Sequence, residues 1–159
     1  MDIKTIPKLD LHCHLDGSLT KAMIERHLGK PIPEDALTVS EDCRSLTEYL
    51  EKFDLPVQCL QDEAGLEDGA YTFVEEIAKE HVEYIEVRFA PMLSVHENLS
   101  CAKVIESVRK GMERAKADFQ VQYGIIVCAM RNHSQEQNLS MLKCAREYLG
   151  HGVCALDLA

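Results

Sequence analysis

The densest set of chemically capable side chains lies in Pro7-Lys8-Leu9-Asp10-Leu11-His12-Cys13-His14-Leu15-Asp16-Gly17-Ser18-Leu19. If Leu9 to His14 is a strand, its side chains alternate between faces. Asp10, His12 and His14 are then expected on one face, with Leu9, Leu11 and Cys13 on the other. Two imidazoles two residues apart at a strand end can reach one metal ion, and neutral imidazole suits zinc. A short H-x-H also arises by chance, and a lone buried histidine is ordinarily core. The pair followed at once by Asp16-Gly17 argues for more than packing.

The other candidates are weaker. His81-Val82-Glu83 has the H-x-E spacing of cytidine-type zinc deaminases, but the P-C-x-x-C that must follow is missing. His81 continues an apolar helical stripe, which predicts a packed structural histidine. His27 and His151 sit near predicted helix ends, where capping or dipole roles suffice. His96 and His133 fall in loops that follow strands. Glu86 and Arg88 share one strand face and predict a buried polar network, with Arg88 at the end where it could support a site. Gly65 and Gly69 are isolated and form no phosphate-binding loop.

These residues need elements to hold them. Strands are predicted at Leu9 to His14, Tyr84 to Ala90, Val121 to Met130 and Val153 to Ala159. Helices are predicted at Thr20 to Leu28, Leu46 to Leu60, Glu67 to Val82, from Ser100 onward, and Ser134 to Leu149. Ser45-Leu46-Thr47-Glu48 reads as a capping box, and Gly150 and Gly152 close the last helix. Strand–helix alternation predicts parallel strands with crossover helices. The long first gap reads as a helical insertion after strand one. Four βα units make half of an eight-fold barrel, and a doubly wound open sheet is the competing architecture.

His12-Cys13-His14-Leu15-Asp16-Gly17-Ser18 resembles the N-terminal H-x-H-L-D-G motif of the adenosine deaminase family of metal-dependent amidohydrolases. The resemblance continues through Tyr49-Leu50-Glu51-Lys52-Phe53-Asp54, Tyr84 to Pro91, Cys128-Ala129-Met130-Arg131 and Leu156-Asp157-Leu158-Ala159, in family order. It implies an incomplete (β/α)8 TIM barrel, with residues 1–159 as the N-terminal half of a metal-dependent hydrolase. It makes His12 and His14 two of the ligands of one zinc ion. It assigns Asp16 to a ribose hydroxyl of a purine nucleoside, and puts His14, Leu50, Phe53 and Met130 at the substrate. Asp157 would orient groups deeper in the site. The implied reaction is attack of a zinc-activated water on C6 of adenosine or a related purine, with protonation of the ring and loss of ammonia to leave inosine. The family's third zinc-binding histidine and its acid–base residues lie on later strands, so no catalytic residue is expected in this chain. The glycine that follows Leu158-Ala159 in the family is also missing here. The implied partner is the missing half of the barrel, or a second copy.

Composition narrows the field further. The chain has 159 residues, 46% hydrophobic and 28% charged, which fits one globular domain. A net charge of -10 disfavours nucleic-acid backbones and anionic membranes. No apolar run approaches a bilayer span, and the first residues do not read as a secretory signal. Seven cysteines, with no C-x-x-C, predict free, buried thiols and a cytoplasmic protein. Two other readings remain: an H-x-H phosphoesterase of the PHP type, whose S-x-x-S-D-G continuation Leu15-Asp16-Gly17-Ser18 does not match, and a non-enzymatic α/β interaction module.

Overall fold

The computed structural model describes residues 3–159. Four strands, β1 (Lys8–His14), β2 (Val82–Phe89), β3 (Gln122–Ala129) and β4 (Val153–Leu158), form one parallel sheet in the order β1-β2-β3-β4. Sequential order and parallel pairing bear out the first βα units of a TIM barrel. Six α-helices lie between the strands: α1 (Lys21–Leu28), α2 (Leu46–Leu50), α3 (Asp54–Cys59), α4 (Glu63–Lys79), α5 (Cys101–Phe119) and α6 (Gln135–Arg146). The first three, with the loops around them, are the insertion after strand one.

Local chemistry sets the helix ends. Thr20, Asp62 and Ser100 each accept a hydrogen bond from the N–H three residues on, and Gly29 closes α1 in the left-handed region. Asp62 starts α4 four residues before the expected Glu67. The predicted box at Ser45 is half formed. Ser45 accepts from Glu48 N–H, but Glu48 turns its carboxylate to Arg44 N–H. The reciprocal box belongs to Ser134 and Gln137.

The helix expected from Leu46 to Leu60 breaks in two. Pro56 lacks the N–H that a continuous helix would bond back to Lys52, and its ring would crowd that turn. The chain therefore tightens into a 3₁₀ turn at Glu51–Phe53, and Pro56 falls in the first turn of α3. His81 also departs from expectation. It is exposed, with φ of 58°, in the turn between α4 and β2, and its carbonyl accepts from Lys8 N–H.

The core fills the helix-covered side of the sheet. Ile85, Val87, Ile125 and Val127 are fully buried there beneath Leu66, Phe73, Ile105, Val108 and Met112 of α4 and α5. Helices α4 and α5 pack tightly because Gly111 has no side chain. A Cβ there would lie 2.2 Å from the Glu67 carbonyl oxygen. At the sheet margins the cover ends. Leu9 and Leu11 of β1 are 70% and 59% exposed, and Leu156 and Leu158 of β4 are 56% and 48% exposed. Leu156 and Leu158 continue the side of Val127 and Ala129 past the last helix. All seven cysteines are free. Cys59 and Cys128 are buried, whereas Cys154, expected inside, is exposed on the marginal strand β4.

Candidate active site

The pairing of β1 with β2 decides which groups meet. His14 lies level with Arg88, and Cys13 with Val87, but Asp10 lies level with Ile85. Three steps along β1 match two along β2, so β1 carries a surplus residue between Asp10 and Cys13. Simple alternation fails there. Asp10 shares the side of Ile85, not that of His14, and its carboxylate accepts from His12 N–H. His12, within the irregular stretch, and His14, beyond it, nonetheless stay together, with ring centroids 5.4 Å apart.

Arg88 reaches from β2 to both neighbouring strands. Its Nε lies 2.9 Å from Asp157 Oδ2 of β4, an ion pair without hydrogen-bond alignment. Its Nη2 donates to the Cys128 thiol of β3. Its Nη1 lies 3.1 Å from His14 Nδ1 and 3.0 Å from His14 Nε2. The two ring nitrogens flank one carbon, so an atom near-equidistant from both in the ring plane would overlap the ring. Nη1 therefore sits over the imidazole face. The in-plane lone-pair directions of His14 are left open by this contact.

The electrostatics follow from those contacts. Burial, then the Arg88 guanidinium, push the His14 imidazole below its usual range, with Asp16 pulling the other way. His14 is then neutral at pH 7, the form that binds a metal. Asp16 Oδ1 is 4.0 Å from His14 Nδ1 and accepts from Gly17 N–H. Burial raises the Asp16 carboxyl, opposed by His14. The Leu158 N–H, then Arg88, hold the Asp157 carboxyl below its usual range.

A depressed carboxyl contributes stability that is present above its unfolded value and lost as pH falls through its folded value. At pH 6 Asp157→Asn is expected to cost about 1 kcal/mol or less, because the pair is part-exposed. The gap between wild type and variant should shrink below pH 3.8 and close beneath the lowered folded value. Urea unfolding of both proteins at several pH values checks this.

A cavity of about 750 Å³ opens beside these groups, at the C-terminal ends of the strands. His14, Asp16, Leu50, Phe53, Met130 and Arg88 are among its walls. Tyr49 also lines it and meets Phe53 edge-on, at 5.6 Å between centroids. Met130 is fixed at the end of β3 by Asn138, which donates to its carbonyl and accepts from its N–H. Sequence reasoning missed Asn138, and it left Arg88 as a supporting candidate. His12 and Asp157 do not line the cavity. His12 stands beside His14, and Asp157 lies behind Arg88. Among the other histidines, His96 Nε2 meets the Gln61 carbonyl at 3.0 Å, His27 pairs with Asp62, and His133 Nδ1 is buried without a hydrogen-bond partner. The expected inner polar network is present, with Tyr84 O–H donating to Glu86 and its phenol pushed up to about 12 by burial and then by that bond.

Parallel strands in sequential order, crossover helices and a cavity at the strand C-termini, walled by a histidine and a carboxylate, define part of a (β/α) barrel with a candidate site at its usual end. The sequence model of the adenosine deaminase family matches residues 7–159, and the chain belongs to that family. An adenosine deaminase of Vibrio atlanticus is 39% identical over the whole of this chain and 51% of its own length. The N6-methyl-AMP deaminase of Arabidopsis thaliana superposes with a TM-score of 0.79 at 26% identity, covering 99% of this chain and 50% of that one. A zinc-bound amidohydrolase from Burkholderia ambifaria shares the fold, with a TM-score of 0.79 at 19% identity over 99% of this chain and 45% of its own. The chain thus spans about half the length of the curated relatives it matches.

Proposed function

We propose that residues 1–159 form the nucleoside-facing part of a zinc-dependent deaminase that converts adenosine, or a related 6-aminopurine, to inosine and ammonia. The observation that carries this reading is the cavity. His14, Asp16, Leu50, Phe53 and Met130 come from distant parts of the chain and line one space large enough for a nucleoside. Leu50 and Phe53 offer the apolar wall that a purine needs. Asp16 offers an acceptor for a ribose hydroxyl.

The metal fits the donors present. His12 and His14 are adjacent, His14 favours its neutral form, and Arg88 leaves its lone pairs clear. A zinc ion held there would activate water at neutral pH. Among the described residues no group of three or more His, Cys, Asp and Glu could hold a metal ion. In this reading the third histidine and the acid–base groups come from further βα units of the same barrel. The chain's own residues bind and orient: the two imidazoles hold their share of the ion, Asp16 holds the sugar, and Asp157 steadies Arg88. Free thiols fit the cytoplasm, and no helix among the described residues is long and apolar enough to cross a membrane.

An NMR titration of the 159-residue chain tests the reading. Millimolar adenosine should shift the amides of Asp16, Leu50, Phe53 and Met130, whereas glycerol phosphate should not. Shifts with the phosphomonoester alone would favour the phosphoesterase alternative and overturn the deaminase reading.

A further inference from the structure

We propose that Arg88 is a positioning residue that grips the His14 imidazole by its face and fixes the direction in which its ring nitrogens point. The inference rests on the reading of His14 as a metal ligand, and goes beyond it by giving that ligand a support.

Three observations carry it. Arg88 is buried, 9% exposed, on the strand next to β1 and level with His14. Its side chain is itself held at two further points, Asp157 on β4 and Cys128 on β3, so the guanidinium is anchored to β3 and β4 as well as to its own strand. And Nη1 lies 3.1 Å and 3.0 Å from the two ring nitrogens, a position over the ring face. A histidine ligand is commonly oriented by a hydrogen bond to the nitrogen that does not bind the metal. Here Asp16 Oδ1, at 4.0 Å from Nδ1, is too distant for that bond. An Nη1–H aimed at the ring face supplies the missing constraint without using either lone pair. A lysine could supply charge to Asp157, but it has no fork of separate nitrogens to hold Asp157, Cys128 and the His14 ring at once.

The test uses the 159-residue chain with Arg88→Met and Arg88→Lys. Carbon-13 relaxation of the His14 Cε1–H bond reads ring order, and backbone amide spectra confirm that each protein is folded. The ring should be rigid in the wild type and mobile on the nanosecond timescale in both variants. If Arg88→Met fails to fold, Arg88→Lys keeps a charge beside Asp157 and carries the comparison. Asp157→Asn, which removes one anchor and leaves Arg88 itself, should loosen the ring partway. A ring equally rigid in folded variants overturns the proposal.

A second readout uses cobalt(II) alone, titrated against a chromophoric chelator. The wild type should bind weakly, and both Arg88 variants about tenfold more weakly. Binding that His14→Ala weakens but the Arg88 variants do not would overturn the grip and leave His14 a ligand. Binding that His14→Ala does not alter would overturn the ligand reading, and ring order would then judge the grip by itself.

Discussion

Adenosine incubated with zinc and the 159-residue chain is expected to remain adenosine. A catalytic zinc site takes three protein ligands and keeps one position open. The described residues bring two imidazoles together and no third ligand beside them. An ion held by two histidines exchanges readily. The reaction also needs an acid for the purine ring, and loss of a general acid or base alone costs about 10²–10⁴-fold. Carboxylates are present, but Asp16 faces the sugar in the proposed arrangement, and Asp157 is engaged by Arg88. Chromatographic separation of adenosine from inosine after long incubation checks this. Turnover on the order of 10 s⁻¹, usual for enzymes, would overturn the assignment of the acid–base groups to other units.

Phe73→Ala is expected to destabilise the chain by about 3–5 kcal/mol. Phe73 is 2% exposed in α4 and is among the largest side chains that are almost fully buried. Its removal deletes buried contact and leaves a cavity that the tight α4–α5 packing cannot collapse, because Gly111 already brings that helix close to Glu67. Against a total stability of about 5–15 kcal/mol, the loss is large enough to unfold a marginal protein. Leu156→Ala is the control. That side chain is 56% exposed, and the change should stay within about 0.5 kcal/mol. Urea denaturation of the three proteins, read by circular dichroism, checks both values. Equal effects would mean that the core does not lie where α4 and α5 meet the sheet.

The barrel layout was legible because the strands are short runs set apart by long helical segments, and every α-helix but α3 starts at a capping side chain. All four strands fall within two residues of expectation. Failures occurred where one residue outweighed a pattern. Pro56 broke a helix that periodicity would have joined, since periodicity does not register a missing N–H. His81 fitted an apolar stripe, but the chain had already turned, because α4 stops at Lys79. Asp10 fitted strand alternation, which the surplus residue in β1 interrupts.

The candidate site divides along the same line. Asp16, Leu50, Phe53 and Met130 were legible through family motifs, which encode position without geometry. That Arg88 meets His14, Asp157 and Cys128 together depends on strand register, which no local pattern states. Asn138 was invisible for a related reason. An asparagine in a helix ordinarily faces water, and only the fold brings it to the Met130 backbone.

The irregularity in β1 has a bearing on how this strand tolerates change. It puts Leu9 and Asp10 out of step with β2, and an opposite shift between Lys8 and Leu9 cancels it, so that Lys8 and Cys13 lie level with Val82 and Val87. A residue gained or lost ahead of Asp10 can be taken up there while His12 and His14 keep their bearing. The stretch from Cys13 to Leu15 has no such reserve, since its ladder to β2 runs unbroken through Leu15 N–H and the Arg88 carbonyl. A length change on that side would swing the His14 imidazole out of the cavity in a single step.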